Sequence, residues 1–122
     1  MTHLVAVYGS LRAGHGNHRL LEGYELLSRE LSPPIFKMIS LGGFPGLLDG
    51  TASAVLEMYD VSEDTFSRLD MLEGYPHFYN RKQVSTSVGD AWVYFLEEEE
   101  DYADRPVVQS GDWTQYNQTT WG

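Results

Sequence analysis

No cysteine occurs anywhere in the chain, so disulfides, thiolate catalysis and cysteine-held metals are excluded. Lysine and arginine are scarce: eight stand against 18 aspartates and glutamates, for a net charge of −10. Nucleic-acid binding draws most of its affinity from phosphate neutralisation by such cations, so no nucleic-acid partner is expected. An anionic membrane surface is disfavoured on the same ground. No apolar run approaches the roughly 20 residues of a spanning helix. The opening Met1-Thr2-His3-Leu4-Val5-Ala6-Val7 lacks the basic head of a secretory signal. A cytoplasmic protein with no membrane partner is the expectation.

What is present is enough for a core. The 122 residues suit one domain spanning 1–122, and apolar residues make up 42% of them. Eight tyrosines, five phenylalanines and three tryptophans exceed the needs of a bare core, and some of them are candidates for a cavity wall. Leu4 to Tyr8 is a short apolar run ended by Gly9, the pattern of a buried strand. Asn17 to Leu27 has helical spacing, with Asn17 as a possible N-cap. Strands are expected over Ile35 to Leu41, Ala52 to Val61, Asn80 to Ser87 and Ala91 to Leu96. Gly42 to Gly46 reads as a turn, and Val88-Gly89-Asp90 as a hairpin turn. Glu97 to Asp101 is an acidic run, expected as a solvated loop. Trp113, Tyr116 and Trp121 are placed to pack back on the domain. Strands and helices mix without regular βαβ alternation, which points to an α+β fold.

Tyr8-Gly9-Ser10-Leu11-Arg12-Ala13-Gly14 follows the first strand. Glycine there allows either an ordinary tight turn or a nest of N–H groups facing an anion or oxyanion. The spacing from Gly9 to Gly14 fits a phosphate loop, but His15-Gly16 stands where Lys and Ser or Thr are required, so that reading fails. His15 and His18 lack supporting ligands nearby, so no metal is expected.

Ser62 to Glu73 is the best-marked helix. Ser62 is the N-cap, Glu63 and Asp64 fill the first turn, Val61 and Phe66 suit a hydrophobic staple, and Gly74 is the stop. At about 100° per residue, Glu73 falls between Phe66 and Leu69, within the apolar stripe. It is either a carboxylate that bends to solvent or pairs with Arg81, or a desolvated general base with a raised pKa. Asp70 falls at the stripe's edge and is expected to matter less.

Several segments, taken in order, resemble the gamma-glutamylcyclotransferase-like family, which includes gamma-glutamylamine cyclotransferases. They are Val7 to Arg12 with Gly14, Asn17 and His18; Gly42 to Leu47; Leu69 to Pro76 with Tyr79 and Arg81; Ala91 to Tyr94; and Ser110 to Trp113. The resemblance implies a small mixed β-barrel flanked by helices. It implies a γ-glutamyl substrate converted to 5-oxoproline and a free amine, without cofactor or metal. It implies that the Tyr8-Gly9-Ser10-Leu11 backbone cradles the glutamyl group and that Glu73 is the acid/base. Tyr79 and Tyr94 are expected among the walls, and solvent-facing strand positions are their alternative. Leu56 stands where the family's Gly-Glu-aliphatic-Tyr segment has glycine, and leucine there would fill space the family leaves open. The alternative reading is a non-catalytic domain that keeps the fold and the pocket.

Overall fold

A computed structural model describes residues 2–97 and 99–116. Among the described residues the fold is carried by seven strands and the helix α1: β1 (Thr2–Val7), β2 (Ser28–Leu31), β3 (Phe36–Ser40), β4 (Pro45–Asp49), β5 (Val55–Ser62), α1 (Glu63–Glu73), β6 (Asn80–Thr86) and β7 (Gly89–Phe95). Five strands form one sheet in the order β2-β5-β1-β7-β6, and β3 and β4 form a separate ribbon. β1 lies at the centre, antiparallel to β5 and parallel to β7. Its two faces are both covered: Val5 and Val7 pack in one core cluster with Leu21, Tyr59 and Phe66, while Ala6 packs in another with Leu56, Met58 and Trp113. A strand buried on both faces reads as a continuous apolar run, which is why Leu4 to Tyr8 shows no alternation.

The mixed α+β class agrees with the sequence reading. The sheet and ribbon are compatible with a small barrel, although the described strands pair as two separate sheets. The ribbon meets the main sheet through Leu96 N–H, which donates to the Leu47 carbonyl at 2.8 Å. No helix among the described residues is long and apolar enough to cross a membrane.

α1 starts and stops where its signals stand. Thr65 N–H donates to Ser62 Oγ at 3.2 Å, and Gly74 closes the helix in the left-handed region at φ 68°. Phe66 and Leu69 face the core. Elsewhere the chain departs from expectation. Asn17 to Leu27 is not an α-helix but a short 3-10 segment, Gly16–Leu21, followed by turns. Gly23 falls inside the expected helix, where it weakens continuation. Asn17 is not the cap; its amide Nδ2 donates to Ser10 Oγ at 2.8 Å. β4 occupies part of the expected turn, since Pro45 and Gly46 begin a strand; proline is tolerated as a strand's first residue. β2 is a polar edge strand without an apolar signature. The β6–β7 turn is Ser87-Val88, one residue earlier than expected. Trp113 is buried and stacks on Tyr116 with centroids 5.4 Å apart; Trp121 lies outside the described residues.

Candidate active site

The elements enclose a cavity of about 360 Å³. Its wall is built from the turn after β1, the β3–β4 turn, the last turn of α1, the loop before β6, and β7. Tyr8, Gly9, Ser10, Leu11, Glu73, Tyr79 and Tyr94 all line it, so segments from both ends of the sequence converge on one space.

The turn is held open by its own bonds. Arg12 N–H donates to the Gly9 carbonyl at 3.0 Å, and Asn17 N–H donates to the Ser10 carbonyl at 3.0 Å. No carbonyl among the described residues accepts the N–H of Gly9, Ser10 or Leu11. A Cβ at Gly9 would lie 2.9 Å from the Pro45 ring, so the close approach of β4 requires glycine here.

Behind the turn lies a buried charge network outside the cavity. Arg12 Nε and Arg29 Nε meet Glu57 Oε2 at 2.9 and 3.0 Å, and Ala13 N–H donates to Glu57 Oε1 at 2.9 Å. Arg12 Nη1 also reaches Asp112 Oδ1 at 2.7 Å. Burial alone would raise the Glu57 carboxyl, but the bonds from Ala13, Arg12 and Arg29 outweigh it and hold the group below its ordinary range. The network bolts the turn to β5, β2 and the segment before Trp113.

Glu73 is the counterpoint. No cation and no hydrogen-bond donor among the described residues pairs with its carboxylate. Arg81, the partner expected if Glu73 were merely structural, pairs instead with Asp70 at 3.1 Å. The Arg81 guanidinium sits over the rings of Phe66, Tyr75 and Trp92 at 4.5, 4.3 and 4.5 Å. Burial pushes the Glu73 carboxyl up to about 7.

The three tyrosines have fixed polarity. Tyr8 Oη donates to the Tyr94 carbonyl at 2.8 Å, Tyr79 Oη to the Pro45 carbonyl at 2.6 Å, and Tyr94 Oη to Asp70 Oδ1 at 2.7 Å. Each acceptor is a carbonyl or carboxylate, so each hydroxyl has committed its proton; Tyr8 Oη is engaged further by the Leu47 N–H and the Tyr79 hydroxyl. Burial raises all three hydroxyl pKa values, which keeps them neutral. The cavity thus has N–H groups without protein acceptors at the turn, and acceptors at the tyrosines and Glu73. Such polarity suits a ligand with an anionic or carbonyl oxygen at one end and an ammonium at the other.

Sequence reasoning missed several lining residues: Asn17, Gly43, Phe44, Pro45, Leu72 and Phe78. Phe44, Leu72 and Phe78 look like misplaced core residues in sequence, and only the fold shows that they border a cavity. Asp70 holds both Arg81 and Tyr94, a role its place on the helical wheel did not reveal. Leu56 is fully buried in the second core cluster and does not line the cavity.

The fold and site define a small mixed α+β protein with a part-enclosed small-molecule cavity walled by tyrosines and a desolvated carboxylate. The chain belongs to the gamma-glutamyl cyclotransferase, AIG2-like family, whose pattern it matches over residues 5–115. This bears out the resemblance read from the sequence. A Vibrio cholerae relative, whose name carries gamma-glutamylcyclotransferase as a provisional assignment, is 40% identical over 115 residues, covering 94% of this chain and 98% of its own. The gamma-L-glutamyl-butirosin B gamma-glutamyl cyclotransferase of Niallia circulans is 35% identical over 120 residues, covering 90% of this chain and 74% of its own. Among solved structures, an uncharacterized protein of Pyrococcus horikoshii superposes with a TM-score of 0.80 at 25% identity, covering 97% of this chain and 95% of its own.

Proposed function

We propose that this chain is a cytoplasmic gamma-glutamyl cyclotransferase that converts a γ-glutamyl amine or amide to 5-oxoproline and the free amine, with Glu73 as general acid/base. The observation that carries the reading is Glu73: a carboxylate on a cavity wall, without a cation among the described residues, pushed up to about 7 by burial.

The substrate brings its own nucleophile. Its α-nitrogen attacks the γ-carbonyl, a C–N bond forms to close the five-membered lactam, and the C–N bond to the leaving amine breaks. An ammonium enters and an ammonium leaves, so two protons pass in all from the α-nitrogen to the leaving nitrogen. An α-amino group has a pKa of about 8, close to that of Glu73, so transfer between them is nearly level. The cavity's role is to fold the substrate so that nitrogen meets carbonyl. Free N–H groups of Gly9, Ser10 and Leu11 supply donors to the oxyanion or the α-carboxylate. Tyr79 and Tyr94 offer lone pairs to the ammonium.

A panel of γ-glutamyl amines and amides, assayed for 5-oxoproline, tests the reading. Release from at least one substrate, lost in Glu73→Gln, is the expected result. Tight binding without release from any of them would instead favour a domain that keeps the pocket and has no turnover.

A further inference from the structure

Exposure is graded along the cavity. Tyr8, Leu11, Tyr79 and Tyr94 are buried, whereas Phe44, Leu72 and Phe78 are 41%, 43% and 45% exposed. These three apolar residues therefore border its open end. They come from the β3–β4 turn, the last turn of α1 and the loop before β6. The rings of Phe44 and Phe78 meet edge to face with centroids 6.3 Å apart, and Phe78 packs edge-on to Tyr79 at 4.8 Å. Three separate elements thus bring half-exposed apolar side chains to one rim. Scattered apolar residues on a surface are ordinary, but a cluster bordering a pocket marks a place where apolar matter is covered.

The chemistry sets which part of a substrate reaches that rim. The α-nitrogen has to lie beside Glu73, and the glutamyl group has to curl back on itself for the lactam to close. Only the substituent on the leaving nitrogen is free to point outward. We propose that Phe44, Leu72 and Phe78 form a subsite for an apolar substituent on the leaving amine, so that the preferred substrates are γ-glutamyl amides of alkyl or aromatic amines. This rests on the cyclotransferase reading. A phenyl ring half covered by the rim removes on the order of 60 Å² of apolar surface from water, which corresponds to about tenfold in affinity.

A rival lies next door. Phe78 also lines a second hollow of about 250 Å³ whose wall includes Asn80, Glu97 and Asp101. A leaving amine with a distal ammonium would be held there by charge, and the apolar rim would then be incidental.

The test compares kcat/KM for γ-glutamyl amides of methylamine, butylamine, benzylamine and 1,4-diaminobutane, read by 5-oxoproline release. Parent, Phe78→Ser and Leu72→Ser proteins are used, with melting temperatures to confirm folding. The benzyl and butyl amides are expected to exceed the methyl amide by about tenfold, mainly through KM, and that ratio is expected to collapse toward one in both variants. Leu72→Ser lies on an exposed helix face and keeps the test alive if Phe78→Ser does not fold. A flat series in the parent overturns the subsite. So does a diaminobutane amide that beats the butyl amide tenfold and keeps its lead in the variants. If no amide releases 5-oxoproline, the cyclotransferase reading fails separately. Calorimetric Kd values for the same four amides then decide the subsite by the same ratios, and absence of binding counts against it.

Discussion

Glu73 is the last residue of α1, a position where a carboxylate ordinarily turns to water. Here it meets the cavity, and its charge is costly because no group among the described residues compensates it. Glu73→Gln keeps the size and removes the proton acceptor. Turnover is expected to fall by about 10²–10⁴-fold, measured as 5-oxoproline release, with the melting temperature unchanged or higher. Full turnover in the folded variant would remove Glu73 from the mechanism. The pH dependence follows from the same group. The unfolded carboxyl releases its proton near its ordinary value of 4.5, the folded one near 7, so the native state holds an extra proton between those values. Stability therefore falls as pH rises through that interval, by an amount on the order of 3 kcal/mol. Urea midpoints on either side of the interval measure it, and Glu73→Gln is expected to flatten the slope. In the parent, kcat/KM is expected to rise through about pH 7 as the base loses its proton. Asp70 stands three residues earlier and works through a neighbour. Asp70→Ala strands the Tyr94 hydroxyl and the Arg81 guanidinium, and a rise of about tenfold in KM is expected. An unchanged KM would return Asp70 to the minor role its wheel position implies.

At the scale of elements, legibility followed local signals. α1 was readable because Ser62, Val61, Phe66 and Gly74 each act within one or two turns of the helix they delimit. β1 was readable because burial on both faces leaves an unbroken apolar run. β2 and β4 were not. Ser28 to Leu31 has no apolar periodicity, and its strand state depends on β5, far along the chain. Pro45-Gly46 is a turn signal by composition, and pairing with Ile39 and Ser40 overrides it. Of the seven cavity residues named from sequence, the Gly9 turn and Glu73 were also legible from turn chemistry and the helical wheel, and the other assignments came through family resemblance. Their convergence rests on contacts that no local pattern encodes, such as Pro45 against Gly9. That contact yields a prediction. Gly9→Ala places a methyl group against the Pro45 ring, so either the turn or β4 has to shift. Activity is expected to drop more than stability, because a misplacement of about 1 Å in a positioning element costs on the order of 10²-fold. Equal losses in kcat/KM and in melting temperature would show that the turn serves only the fold.

For the whole molecule, Glu57 is the knot. It joins two arginines from different segments, and one of them carries on to Asp112. Glu57→Ala would leave Arg12 buried beside an empty site, and a loss of about 3–5 kcal/mol is expected in chemical denaturation. The native carboxyl titrates below its unfolded value, so its contribution is present above the ordinary carboxylate pKa and is lost as pH falls through the lower folded one. Acid unfolding midpoints of parent and variant measure this. The central place of β1 has a consequence for how the protein is made. β1 is synthesised before both of its neighbours, β5 on one side and β7 on the other, and β7 ends at Phe95. At about 5–20 residues per second, synthesis leaves Leu4 to Val7 without its parallel neighbour for several seconds or more. Nascent chains arrested before Phe95 has left the exit tunnel are expected to stay open to protease, and chains arrested well after it to resist. During that interval the apolar edge of β1 is the segment a chaperone would find first.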